Sequence, residues 1–458
     1  MAGKDLTSGP VWKALARISA PMSLGIFAVL SVGVADAYFL GQLGGTPLAA
    51  IGFIFPVTAT FASLAIGLSA GANATVSQSI GGSDAQETTA RYAMHAFGLG
   101  VVMAATAALL VWATYPLLFR LIGAKSEVLG EIALYMPFWA LSFPLLVSLM
   151  ITNAIFRAYG SGTVSALLMV LAAVINIVLN PLLIFGWGPI PGLGTEGAAI
   201  SSAVGRGAAA IIGIIYALRR GYLDFAVNIF KDLWESLGQL LRVGVPAALS
   251  NAINPAGMVL VTAAVATLGD AAVAGFGAAT RVQSVALVPL LALSSGIGPV
   301  VGQNWGARSK DRARAAVRQS WLICLIYGAL LGTALFLFGE RIALAIAPGA
   351  EAGKFTQQYL TFVGWSLFGY GILVTANAAM NARSKALHSM SLSLGRIFLI
   401  YLPLAWAGVW LFGYTGILMA AIAANVFAAL GALVAARAVG LFRSRHAVIT
   451  EPARLVPT

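Results

Sequence analysis

The chain has 458 residues and a formal charge of +12, yet only 9% of its residues are charged and 60% are hydrophobic. A water-soluble domain carries roughly a quarter charged residues, so a soluble fold is excluded and the chain reads as an integral membrane protein. The basic excess then belongs to loops on one side of a bilayer, and no nucleic-acid partner is expected.

Residues 1–15 are too polar for a cleaved leader and read as a cytoplasmic N-terminal segment. Apolar runs of about twenty residues, the length that crosses a bilayer, then recur to the end of the chain. They fall at 16–40, 48–76, 92–116, 132–156, 163–186, 195–218, 241–268, 273–300, 317–338, 357–380, 391–412 and 414–438. With the N-terminus inside, 21 Lys and Arg residues fall on inner loops, Arg396 among them. Only Arg120, Lys125, Arg341 and Lys354 fall outside, while Arg206 and Arg281 sit within spans. This bias places both termini in the cytoplasm.

The two halves repeat. A shift of 225 carries Pro21 to Pro246, Gly71 to Gly296, Gln78 to Gln303 and Gly81 to Gly306. The shift drifts to 224 for Tyr135/Tyr359, Asn153/Asn377 and Ala158/Ala382, then to 222 for Pro181/Pro403 and 219 for Gly197/Gly416. Six spans per half is an even number, so both halves enter the membrane in the same sense and their axis lies along its normal. The expected fold is an all-α polytopic membrane protein, twelve transmembrane helices in two six-helix lobes related by a parallel repeat. The lobes are read at 16–220 and 241–438. A cytoplasmic amphipathic linker at 221–240 joins them, read as a helix on the inner surface with Ile229, Leu233, Leu237, Leu240 and Leu241 at helical spacing, and a cytoplasmic tail follows at 439–458.

A charge at the centre of a span costs at least about 2.5 kcal/mol and persists where it serves a purpose. Of the fifteen acids only Asp36 lies inside a span. It reads as a proton-coupling carboxylate, because desolvation penalises its charged form; the repeat-related position is Val261. Asn176 and Asn180, at i and i+4 in span five, join Asn153, Ser201 and Ser202 as a candidate polar pocket of the first lobe. Interhelical bonding of ordinary strength, about 0.6–2 kcal/mol each, is the alternative for each of them. Pro21 and Pro246 interrupt the first span of each half and permit a kink. In the second lobe Asn251, Asn254, Asn377 and Asn381 are candidate cavity-lining residues, and Arg281 is read as pairing with carbonyls at a buried helix end. The lone Cys324 excludes an internal disulfide. His95, His388 and His446 lie away from any paired carboxylate, so no enzyme, metal site or cofactor is expected.

In order and spacing, ISAPMSLG, VADAYFLGQLGGTPLAAIGF, GANATVSQSIGG, NIVLNPLLIFG, GLGTEGAAISSAVGR, VGVPAALSN and SSGIGPVVGQNWGA resemble the multidrug and toxic compound extrusion (MATE) family from about residue 15 to 440. The resemblance implies two six-helix lobes around a central cleft, in a bacterial cytoplasmic membrane. It implies a monomer that exports drug-like amphipathic, often cationic compounds in exchange for protons or sodium. A lone first-lobe Asp resembles the DinF-like branch. Position by position, Asp36, Asn153, Asn176, Asn180 and Ser202 match the family's first-lobe site, and Pro21 matches the proline at which the first helix bends. One departure stands out: the family commonly has Asp before the span-five proline, where this chain has Asn180–Pro181. A flippase for a lipid-linked precursor and a sodium-coupled exporter are the alternatives left open.

Overall fold

A computed structural model describes residues 5–82, 84, 86–189, 191–347 and 349–442. Lys4, Arg443, Arg445, His446, Arg454 and most of the tail expected at 439–458 lie outside the described residues.

The first lobe comprises α1 (Val11–Leu43), α2 (Gly45–Gly81), α3 (Gln86–Leu121), α4 (Ser126–Ala158), α5 (Gly162–Phe185) and α6 (Gly194–Arg219). The second begins with α7 (Leu233–Ala266), α8 (Asp270–Ala286), α9 (Val288–Gly306) and α10 (Lys310–Ile346). It continues with α11 (Ala350–Val363), α12 (Leu367–Ala382), α13 (Ala386–Leu394), α14 (Leu402–Phe412) and α15 (Tyr414–Ala438). Eleven helical stretches are long and apolar enough to cross a bilayer, and the α8–α9 pair, bent by 43°, makes a twelfth. Most helices outrun the apolar windows. The 37 residues of α10 reach about 55 Å, whereas the hydrocarbon core is about 30 Å thick.

Two spans depart from the simple picture, at identifiable places. The span expected at 273–300 is broken at Leu287, where Pro289 supplies no amide for the helical ladder. The span expected at 391–412 starts at Ala386 and passes through a π-helical stretch, Gly395–Tyr401, before α14. Pro403 follows that stretch, but the repeat-related Pro181 sits in an ordinary α5, so the proline alone does not account for the widening.

The end of the bundle where α1 begins and α15 ends is the proximal face; the other is distal. Arg312 fixes this common end, since its guanidinium donates to the carbonyls of Ser8 and Gly9 at 3.1 and 2.9 Å. Arg314, two residues further along α10, holds Gly440 at 3.0 Å. At this face the lobes interlock. Gln78 of α2 donates to the Ala382 carbonyl at 2.6 Å, and its repeat mate Gln303 of α9 donates to the Ala158 carbonyl at 2.7 Å. Each glutamine thus reaches the last turn of the other lobe's fourth span. The glycine repeat does the same with backbone: a Cβ on Gly81 would collide with the Gln303 carbonyl, and one on Gly306 with that of Gln78. A pseudo-two-fold axis along the bundle follows from these reciprocal contacts. The N-terminal segment adds an asymmetric strap, with Leu6 held by Gln303 and Asn304 at 3.0 and 3.1 Å.

Toward the distal face the same helices separate. A Cβ on Gly33 of α1, Gly52 of α2 or Gly277 of α8 would meet nothing within 4 Å. The reciprocal contacts between the lobes thus lie at the proximal face, and these distal glycines face open space.

The linker corrects an expectation. Residues 221–232 form turns rather than an amphipathic helix, and α7 begins only at Leu233. Asp232 breaks the helical spacing with a φ of 54°. The segment is docked on the first lobe: Tyr222 stacks on Tyr159 at 3.8 Å, His95 Nε2 bonds the Ile229 carbonyl at 2.8 Å, and Asp232 accepts from Arg91 at 2.9 Å. Arg91 is buried, with a longer contact of 3.7 Å to Glu87. Asp232→Ala strips that guanidinium of its nearer partner, at a cost of about 1–3 kcal/mol. A lower melting temperature of the detergent-solubilised protein is expected; an unchanged one would remove any stabilising role for the docked linker.

Candidate functional site

In the first lobe, small residues let the site assemble. A Cβ on Gly205 of α6 would lie 2.6 Å from the Ala172 carbonyl of α5, so only glycine allows these backbones to approach this closely. One turn along each helix from that contact, Asn176 meets Ser201 and Ser202. The Asn176 amide donates to Ser202 Oγ at 2.9 Å and to Ser201 Oγ at 3.3 Å. The Ser201 hydroxyl donates to Asn180 Oδ1, and the Asn180 amide donates to Asp36 Oδ1 at 2.6 Å. Asn176, Asn180, Ser201 and Ser202 are buried, whereas Asp36 is only half-buried, with Gly33 exposed one turn away. A continuous polar chain thus runs from the lobe interior to a carboxylate that keeps some access to solvent.

No cation pairs with Asp36 among the described residues. Arg206, bonded to Ser142 at 3.2 Å, and the buried Tyr135 lie within electrostatic reach of it. Tyr135 was not a candidate from sequence. Its register on α4, near the distal end and on the face turned to α6, is the signal that finds it. The repeat mate of Asp36, Val261, is fully buried and apolar.

Asn153 stands apart from this chain. It lies near the proximal end of α4, where Ser165 donates to its backbone carbonyl at 2.8 Å, and its own Oδ1 has no partner among the described residues. Ser165 precedes Asn176 by eleven residues, about 16 Å along α5. Pro21 lies in the proximal third of α1, which passes through it without interruption.

The second-lobe asparagines each make a different contact. Asn251 donates to its own helix at Ala247, Asn377 to Ser393 at 3.0 Å, and Asn381 accepts from Ser389 at 2.8 Å. Asn254 differs: its Oδ1 accepts from Arg396 at 3.2 Å. Two charges are also placed differently from expectation. Arg281 is exposed on α8, with no hydrogen bond or ion pair among the described residues, rather than capping a buried helix end. Arg396 belongs to no loop; it lies in the π-helical stretch, ten residues inside its span.

The MatE family model matches residues 21–182 and again 246–407. The chain belongs to the MATE family. The two matches repeat the separation between Pro21 and Pro246, so the matched unit occurs once in each lobe and ends within that lobe's fifth span. Among curated MATE relatives, the "FAD transporter" of Shewanella oneidensis is 34% identical over 417 residues, 91% of this chain and 92% of that one. "Multidrug export protein MepA" of Staphylococcus aureus is 26% identical over 450 residues, 96% of each. Among solved structures, the Vibrio cholerae MATE transporter VcmN in its bent form superposes with a TM-score of 0.88 at 27% identity, covering 94% of this chain and 98% of that one. As a MATE protein the chain is a multi-pass membrane transporter and not an enzyme.

Proposed function

We propose that this chain is a secondary active exporter of amphipathic, drug-like cations, driven by protons through an alternating-access cleft, with Asp36 as the coupling carboxylate. The observation that carries the reading is the Asn180–Asp36 bond at the end of a buried polar chain, on a carboxylate without an ion-pair partner. In the charged form that bond is charge-assisted and tethers α1 to α5. Protonation weakens it roughly twofold and frees the distal part of α1 to move against the pocket. With both termini in the cytoplasm of a bacterial cell, as the loop charges favour, the proximal face is cytoplasmic and the structure is open outward. Asp36 then takes its proton from outside as substrate leaves.

Proteoliposomes decide between drivers. Exchange of one monovalent cation for one proton is electroneutral, so each pH unit supports about a tenfold ethidium gradient, and an imposed potential alone supports none. Ethidium accumulation under a sodium gradient without a pH gradient would favour the sodium-coupled alternative.

A second reading concerns cargo. The 34% identical relative is named an FAD transporter, which brings flavin phosphates into the substrate range of this chain alongside cations.

A further inference from the structure

We propose that Arg396 forms a recognition site for the phosphate of an anionic, planar substrate of the flavin mononucleotide type; this rests on the second, flavin reading of the cargo given above. Arg396 lies ten residues from the start of α13, about 15 Å along a helical stretch long and apolar enough to span the bilayer. A guanidinium at that depth is expensive unless a negative charge answers it. None does. Of the acids in the described second lobe, Glu235 and Asp311 sit at the proximal starts of α7 and α10, Asp270, Glu340 and Glu351 sit toward the distal ends of helices, and Asp36 belongs to the other lobe.

What holds Arg396 is neutral. Its Nη1 donates to Asn254 Oδ1 at 3.2 Å and its Nη2 to Asn425 Oδ1 at 3.0 Å, while Asn425 is itself fixed by Ser366 at 2.9 Å. The guanidinium carbon lies 5.1 Å from the Tyr370 ring centroid. These contacts orient the group and leave its charge intact. They use two of its five N–H donors, and Nε has no partner. The guanidinium fork matches a phosphate in shape as well as charge. The π-helical stretch that carries it is a rare geometry that recurs at functional sites.

Access comes along α7. That helix is locked to α2 at Gly244 and Ala248, but six residues further on Asn254 is half-buried, Pro255 and Ala256 are exposed, and Arg396 keeps partial exposure. Repeat arithmetic deepens the contrast: Arg396 corresponds to Val174, and Asn425 to Arg206. The first lobe presents a carboxylate to the cleft; the second presents a cation.

Flavin mononucleotide and riboflavin share ring and ribityl chain and differ by one phosphate, and flavin fluorescence reports the binding of both to the purified full-length protein without any ion gradient. Wild type is expected to prefer the mononucleotide by about tenfold or more. Arg396→Gln should bring that preference close to unity, and Arg396→Lys should restore part of it. An arginine that only braces the lobe would weaken both ligands alike in the Gln variant, and that result, or the absence of a preference in wild type, overturns the proposal. Because no gradient is present, such a failure leaves proton-driven ethidium export standing, and a failure of coupling leaves the phosphate preference standing.

Discussion

Replacing Asp36 with Asn is expected to abolish proton-driven dye accumulation while leaving the protein folded in the membrane. Asparagine has the volume of aspartate and still offers an oxygen to the Asn180 amide, so the chain Asp36–Asn180–Ser201 loses its titratable member and little else. The substitution also removes a half-buried charge that no cation pairs with, so a stable variant is expected. In proteoliposomes with an acidic interior and a one-unit pH difference, wild type should accumulate ethidium about tenfold as protons leave, and the variant should accumulate none. Asn180→Ala makes a graded companion. It removes the donor to Asp36 and the acceptor for Ser201 together, but keeps the carboxylate, so export should slow while the final gradient survives. Full accumulation by Asp36→Asn would end the coupling assignment.

The sequence made the twelve spans and the two lobes legible because both follow from one-dimensional quantities: runs of apolar residues and a fixed shift between halves. What escaped it required depth. Asn153 was grouped with Asn180, although it lies five residues from the proximal end of a helix that runs inward and Asn180 five from the distal end of one that runs outward. Counting from span ends would have separated them. Arg396 counts with the inner bases, although the span read at 391–412 contains it, because the polar stretch ALHSMSLSLGR runs past the start of that span. That polar stretch is helix, its Ser389 and Ser393 buried by contacts within the lobe. Aligning Pro403 with Pro181 already puts Arg396 opposite mid-span Val174, so the repeat held the answer that hydropathy hid. The helical spacing of Ile229 and Leu233 misled for a different reason. A left-handed Asp232 and its bond to Arg91 are tertiary facts, invisible to a periodicity. The Asn176–Ser202 and Asn180–Asp36 contacts were foreseeable as a set of polar residues near one depth; their order as a chain was not.

The closed proximal face yields the other large effect. The locking contacts there are of two kinds, and they should respond differently. Gln78→Ala removes two hydrogen bonds between lobes, to the Ala382 carbonyl and the Ser384 hydroxyl, each worth about 0.5–1.5 kcal/mol, so the balance between closed and open faces should shift by about a hundredfold at most. Gly81→Val is another matter. Its side chain would enter space filled by the Gln303 carbonyl, backbone that cannot rotate away, and Gly306→Val would do the same at Gln78. Moving a two-state equilibrium from 99:1 to 1:99 takes about 5.5 kcal/mol, and steric overlap on backbone at a closed interface is of that order. Either valine should therefore hold the proximal side open and stop export, although every residue of the Asp36 site remains. Ala74 reports the change directly, because it is fully buried against Val243 and Ala386 of the other lobe. A cysteine at position 74, with Cys324 replaced by Ala, should be shielded from an aqueous maleimide in the parent and reactive in the Gly81→Val background. Shielding that persists together with normal export would show that the lobes close by some other contact, and the glycine repeat would then be a matter of helix packing alone.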